Sequence, residues 1–263
     1  MLAEELIAQS DATGEIRPFT ETYPGLTPAA GYEAAAALHR HRLGRGWKAL
    51  GRKIGFTNRT IWPRYGVYEP IWGTVYDRTL TQAKDQRATV RLRGLLNPRI
   101  EPEICFGLKR APRGAGAEAL LDAVEWVAHS VEIVQSCFPS WKFQLADCTA
   151  VNGLHGHLVV GKRVPLSEVP ALAQALPSLQ VELMKDSVVV DRGVGANVLD
   201  SPLLALGHLV GVLAAQPAAA PLAAGELVTT GTITDAHPVR PGETWSTRLL
   251  GLPLPGLTVR FEA

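Results

Sequence analysis

The sequence has little cysteine, no excess of either charge and no long uninterrupted apolar run. Three cysteines in 263 residues (Cys105, Cys137 and Cys148), with no C-x-x-C, cannot make a disulfide framework and point to a reducing compartment. Lys and Arg number 26 against 25 Asp and Glu, a formal net charge of +1, so the basic excess of a nucleic-acid-binding protein is missing. The most apolar stretch, Leu203 to Val228, is broken by His208, Gln216, Pro217, Pro221 and Glu226. A membrane-spanning helix needs about 20 apolar residues. The opening Met1-Leu2-Ala3-Glu4-Glu5 is acidic where a signal peptide is basic. The expectation is a cytoplasmic protein with no nucleic-acid and no membrane partner. Also missing are G-x-S-x-G, a Walker loop, H-E-x-x-H and a G-x-G-x-x-G that follows a strand.

What is there favours short strands. The chain carries 25 Gly and 19 Pro, and its length fits one large domain or a domain with an appendage. The patterning predicts helices over Leu2–Ala12, Pro28–Leu43, Ala117–Val127 and Pro202–Ala214, the second capped by Thr27 ahead of Pro28. Strands are expected at Trp47–Gly55, Ile71–Val75, Ala88–Leu92, Arg99–Leu108, Ser130–Gln135, His155–Val160, Ser178–Lys185, Ser187–Val194, Glu226–Gly231, Thr244–Leu249 and Leu257–Phe261, with a hairpin turn at Lys185-Asp186. The polar stretch Asp77–Arg87 divides a small N-terminal portion, 1–85, from a strand-rich body, 86–263. Arg40, His41, Arg42 and Arg45 read as a solvated helix face, with a phosphate or partner site as the alternative.

The informative segment is Pro98-Arg99-Ile100-Glu101-Pro102-Glu103-Ile104-Cys105-Phe106. With a period of two, Glu101, Glu103 and Cys105 share one strand face and Ile100, Pro102, Ile104 and Phe106 the other. Adjacent carboxylates repel, and burial makes that worse unless a cation intervenes. By itself Glu-x-Glu on a strand is usually a solvent-facing edge. Glu132, however, stands alone in the apolar Ser130-Val131-Glu132-Ile133-Val134 and needs a partner. Three strand carboxylates supply half an octahedral shell for Mg²⁺, Mn²⁺ or Ca²⁺. Lys53, between Gly51 and Gly55 at the end of an early strand, is either a surface lysine or a proton carrier beside an enolate. His155-x-His157 is compatible with Zn²⁺ and equally with plain strand alternation.

Taken together these residues resemble the 2-oxopent-4-enoate hydratase and 4-oxalocrotonate decarboxylase family of the fumarylacetoacetate hydrolase superfamily. The resemblance runs from about Tyr32 to Phe261. Its blocks are Gly51-Arg52-Lys53-Ile54-Gly55-Phe56-Thr57, Pro98–Ile104, Val131-Glu132-Ile133-Val134, Trp141-Lys142-Phe143 with Asp147, Asn152, Thr230-Gly231 and Pro241-Gly242-Glu243. It implies an α+β fold, a mixed β-roll with outer helices and a small N-terminal α/β portion that closes the site. It implies Mg²⁺ (or Mn²⁺) on Glu101, Glu103 and Glu132, with Lys53 in the active site and Thr230 and Gly231 at the substrate. It also implies a small 2-oxo acid substrate and assembly as a homodimer or a multiple of dimers.

Two positions depart from the family pattern. Hydratases of the family commonly read Glu/Gln-Pro-Asp-aromatic-Gly where this chain has Glu69-Pro70-Ile71-Trp72-Gly73, and Asn-Ala-Ser where it has Asn152-Gly153-Leu154. Ile71, Trp72 and Leu154 are thus expected at the substrate, with His155 as a replacement donor. The implied reaction is metal-dependent addition of water to a 2-hydroxy-2,4-dienoate in aromatic-compound catabolism. Alternatives are 4-oxalocrotonate-type decarboxylation, acylpyruvate C–C hydrolysis or tautomerisation, and a catalytically silent assembly partner. Hydrolases of the superfamily need a further base, for which Glu33 and His39 are the candidates here.

Overall fold

A computed structural model of the protein describes residues 1–9, 14–216 and 219–263, without the Arg64 side chain. The helices are α1 (Leu2–Gln9), α2 (Phe19–Thr22), α3 (Pro28–Gly44), α4 (Trp62–Tyr65), α5 (Ala117–Ala123), α6 (Leu145–Ala150), α7 (Leu172–Ala175) and α8 (Pro202–Ala215). The strands are β1 (Ala49–Gly55), β2 (Ile71–Tyr76), β3 (Leu80–Gln82), β4 (Arg87–Arg91), β5 (Arg99–Leu108), β6 (Val124–Val134) and β7 (His155–Val160). They continue with β8 (Val164–Pro165), β9 (Gln180–Lys185), β10 (Val188–Val194), β11 (Leu227–Thr229), β12 (His237–Pro238), β13 (Thr244–Leu250) and β14 (Thr258–Glu262).

Two curled sheets carry the fold. Nine strands make the larger one, in the order β2-β1-β11-β5-β6-β7-β3, with β12 added to β5 and β8 to β6. The smaller sheet runs β10-β9-β13-β14-β4. Hydrogen bonding continues across residue 85, because β1 pairs with β11 and β3 with β7. One core packs α5 and α8 against β5 and β6 through Leu120, Leu203, Leu206, Phe106 and Val127. A second lies between the sheets around Ile100, Ile133, Trp245 and Phe261. The helical N-terminus has its own cluster, in which Leu6, Phe19, Leu38, Phe138 and Leu154 meet. There α3 sits so close to α6 that a Cβ on Gly31 would stand 2.1 Å from Thr149 Oγ1.

The longer expected elements recur, with differences at their ends and with additional short ones. The helix expected to reach Val127 stops at Ala123, because Val124 and Val127 are β-branched and already pair with Leu108 and Phe106 of β5. Of the first expected helix, Leu2–Gln9 is helical, and residues 10–12 lie outside the described residues. The short helices α4, α6 and α7 carry too few residues to show a period. The hairpin joining β9 and β10 turns at Asp186 and Ser187, whose φ values of 47° and 68° are those of a tight hairpin turn. Among the described residues no helix is long and apolar enough to cross a membrane.

Candidate active site

The long antiparallel pair β5–β6 sets Glu101 directly opposite Glu132, with Glu103 opposite Ser130. Like charges facing each other across a ladder destabilise it, so this register calls for a compensating cation. Each of Glu101, Glu103 and Glu132 offers an oxygen within 4.8 Å of the others'. Glu103 Oε2 accepts from Gly231 N at 2.8 Å and from the Thr229 hydroxyl, while its Oε1 is buried with no hydrogen-bond partner among the described residues. Burial raises all three carboxyl pKa values, that of Glu103 to about 8, and repulsion from the neighbouring carboxylates adds to the rise at Glu101 and Glu103.

Lys53 answers part of that charge. Strand β1 lies two places from β5, across β11, and alternation turns Lys53 toward the carboxylates. Its Nζ is 3.2 Å from Glu132 Oε2 and donates to Gly153 O at 3.0 Å, with the side chain 2% exposed. Burial works against the ammonium, but Glu132, Glu101 and Glu103 together overcome it and raise the pKa. The carbonyl of Gly153 reaches Lys53 because Asn152, Gly153 and Leu154 all hold left-handed backbone, φ 59°, 65° and 62°. Strain of this kind at a leucine is stored where the surroundings fix it. Here the clamp is the Asn152 amide, which accepts from Thr74 N (2.7 Å) and donates to Thr74 O (2.9 Å). Gly73 makes room: a Cβ there would lie 2.2 Å from Asn152 O.

A cleft of about 520 Å³ opens over Lys53 and Glu101. Ile71 and Leu154 line it, and Phe56, Tyr65, Trp141 and Phe143 form an aromatic mouth, the rings of Tyr65 and Phe143 stacked at 5.4 Å. Thr57 adds a buried hydroxyl without a hydrogen-bond partner among the described residues. Gly231 fits only as glycine, since its φ is 100° and a Cβ would fall 1.8 Å from Thr57 Oγ1.

Three expected residues stand elsewhere. Trp72 opposes Ile54, one step out of phase with Lys53, so it faces the other side of the sheet, stacks on Tyr32 at 5.2 Å and donates to Gln216. Thr230 donates its hydroxyl and its N–H to Ile104 O, and its neighbour Thr229 makes the carboxylate contact. His155 lies behind Glu132: Nδ1 is 2.7 Å from Glu132 Oε1 and Nε2 is 2.9 Å from Thr79 Oγ1. Burial and the Lys53 charge lower its pKa to about 3, so the ring is neutral. The network then assigns the proton to Nδ1, donated to the carboxylate. Glu33 and His39 line a second cavity with Trp72, away from the cleft, and offer no base to it.

No family model matches the chain. It is 31% identical to the 4-oxalocrotonate decarboxylase of Pseudomonas sp. (strain CF600) over 95% of this chain and 92% of that one. The chain belongs to the hydratase and decarboxylase family of the fumarylacetoacetate hydrolase superfamily. Within this family it is also 28% identical to the 2-hydroxyhexa-2,4-dienoate hydratase of Comamonas testosteroni, over 90% of this chain and 88% of the relative. The solved 4-oxalocrotonate decarboxylase from Pseudomonas putida G7, complexed with magnesium and adipate, superposes with a TM-score of 0.89 at 29% identity, over 99% of this chain and 95% of that chain. The mixed β-roll with outer helices is therefore the family's fold. Against the pattern that hydratases of the family commonly show, the cleft wall here is aliphatic at Ile71 and Leu154.

Proposed function

We propose that the protein is a divalent-metal-dependent hydro-lyase that adds water to a 2-hydroxy-2,4-dienoate, through its 2-oxo-4-enoate form, to give a 4-hydroxy-2-oxo acid in aromatic-compound catabolism. The observation that carries this reading is the buried lysine, 3.2 Å from one of three clustered carboxylates, at the base of a largely apolar cleft. The donor set fits Mg²⁺ or Mn²⁺. It is all carboxylate oxygen, it is mutually repulsive without a cation, and Glu103 Oε1 has no other partner among the described residues. Glu101, Glu103 and Glu132 would hold the ion, which when bound supplies Lewis-acid polarisation of the substrate's 2-oxo group.

The chain's own residues do the rest. Lys53 Nζ carries the proton that moves on and off C3 during ketonisation. Gly153 O and Glu132 hold that ammonium in place. His155 is a positioning residue, fixing Glu132 through Oε1 so that Oε2 faces Lys53. Phe56, Tyr65 and Phe143 restrict water to the few molecules that the reaction uses. The family resemblance supports assembly as a homodimer or a multiple of dimers, which light scattering reads directly.

Decarboxylation of a 4-oxalocrotonate-type acid is the second reading, and Ile71 with Leu154 favours it. A carboxylate pressed against aliphatic walls is destabilised relative to neutral CO₂. The deciding experiment is a product mass spectrum of the Mg²⁺-loaded protein with 2-hydroxypenta-2,4-dienoate and with its 5-carboxylated analogue. Gain of one water supports the hydratase, and loss of CO₂ from the analogue moves the protein to the decarboxylase branch. No change in either removes both.

A further inference from the structure

A second cavity, of about 1360 Å³, lies across β1 and β2 from the catalytic cleft and shares no lining residue with it. Strand alternation turns Arg52 and Trp72 into this cavity, away from the side that Lys53 faces. Helix α3 contributes Ala36 and His39, and the chain from the end of α8 contributes Ala215, Ala219 and Ala220. The Trp72 ring carries Tyr32 stacked at 5.2 Å and the Arg52 guanidinium 5.4 Å from its centre. Its Nε1 donates to Gln216 Oε1 at 3.0 Å. The base of the cavity is thus aromatic and held in place.

Arg52 is 8% exposed, and its donors are poorly used. A guanidinium has five N–H groups to place. Among the described residues only Nη1 finds acceptors, Gly51 O at 3.3 Å and Glu226 Oε1 at 3.5 Å, and Nε is buried with no partner. His39 adds no charge at neutral pH, because burial and the nearby Arg52, Arg42 and Arg40 lower its pKa. Glu33 and Glu69 line the cavity from exposed positions, where water and salt screen them. The alanines are short enough to leave room for a ring.

We propose that this cavity is a second binding site, which takes a carboxylate with an apolar body. The carboxylate pairs with the unused donors of Arg52, and the body lies among the alanines and the Tyr32 and Trp72 rings. A buried guanidinium with long, incomplete hydrogen bonds gains most from such a partner, and its place beside Trp72 preorganises it. Gly73, Thr74 and Asn152 also line the cavity. They belong to the clamp that turns Gly153 O toward Lys53, so a ligand here touches the support of the catalytic lysine from behind, without entering the cleft.

The test is calorimetric binding of benzoate and of its neutral isostere benzamide to the Mg²⁺-loaded full chain, with enough oxalate present to saturate the metal. Benzoate is expected to bind about 10- to 100-fold more tightly than the amide. Arg52→Gln brings that ratio close to one. Ala220→Phe fills the cavity from an exposed position and weakens benzoate about 10-fold with little change in melting temperature, whereas Glu69→Gln removes a repulsion and strengthens binding about two- to threefold. These two substitutions read the site even if the Arg52 variant does not fold. Benzoate binding that oxalate abolishes belongs to the catalytic cleft and overturns the proposal. Equal affinity for acid and amide, an affinity unmoved by Ala220→Phe and Glu69→Gln, or no binding at all overturns it as well. None of these outcomes bears on the proposed function, which rests on the other side of the sheet.

Discussion

Lys53 Nζ and Glu132 Oε2 lie 3.2 Å apart with both side chains closed off from solvent, and Glu132 is shared from its other oxygen by His155. A buried ion pair of this kind is costly to desolvate and costly to break. Its retention at the base of a cleft points to chemistry more than to stability. Lys53→Met is expected to keep Mg²⁺ affinity within about threefold or to raise it, since one competing cation is gone. The same variant is expected to slow C3–H exchange of a bound 2-oxo acid by about 10²- to 10⁴-fold. Exchange followed by NMR in D₂O reads this, and an unchanged rate takes Lys53 out of the mechanism.

Glu103→Gln removes one charge from the carboxylate cluster and keeps an acceptor for Gly231 N and the Thr229 hydroxyl. In metal-free protein the melting temperature is expected to hold or rise, because repulsion falls. Mg²⁺ is expected to raise the melting temperature of the unmodified protein and to have little effect on the variant. Equal stabilisation by Mg²⁺ in the two proteins would falsify the assignment of Glu103 as a ligand.

Asn152→Ala leaves Thr74 N and O without their side-chain partners and puts alanine at φ 59°. A loss of about 2–4 kcal/mol follows from two buried backbone groups left unpaired and the left-handed strain. The Gly153 carbonyl is released as well, so activity is expected to fall even below the melting transition. Denaturant unfolding and activity at low temperature separate the two effects.

Acid should weaken the fold through its buried histidines. Burial lowers the pKa of His157 to about 4, while its ring bonds Thr81 Oγ1 at 2.9 Å. The unfolded chain, with an ordinary value near 6.5, binds more protons than the folded one between pH 6.5 and 4. Stability is therefore full above about pH 6.5, is lost as the pH falls through that window, and levels off below it. His157 contributes on the order of 3 kcal/mol to this loss. His157→Gln should give a shallower dependence of melting temperature on pH between 6.5 and 4, and an identical slope would show that His157 does not titrate in this way.

Local pattern made much of the site legible. Alternation along Glu101-Pro102-Glu103 placed two carboxylates on one face, and the apolar setting of Glu132 marked a charge that needed a partner. The same alternation, applied inside Glu69–Gly73, separates Ile71 and Gly73 from Trp72, and inside Thr229–Gly231 it separates Thr229 from Thr230.

By itself the sequence determined strand faces, most helix and strand positions and the chemical type of the site, because these depend on neighbours one to four residues apart. Only the tertiary structure decided which faces meet. The order β1-β11-β5-β6 brings Lys53 to Glu132 across 79 positions of sequence, and the turn at Asn152–Leu154 carries Gly153 O to Lys53. It also put His155 behind a carboxylate and set Arg52 on the far side of the sheet, over the Trp72 ring. Such relationships depend on the pairing of distant strands and on the packing that fixes it, and no local periodicity encodes them.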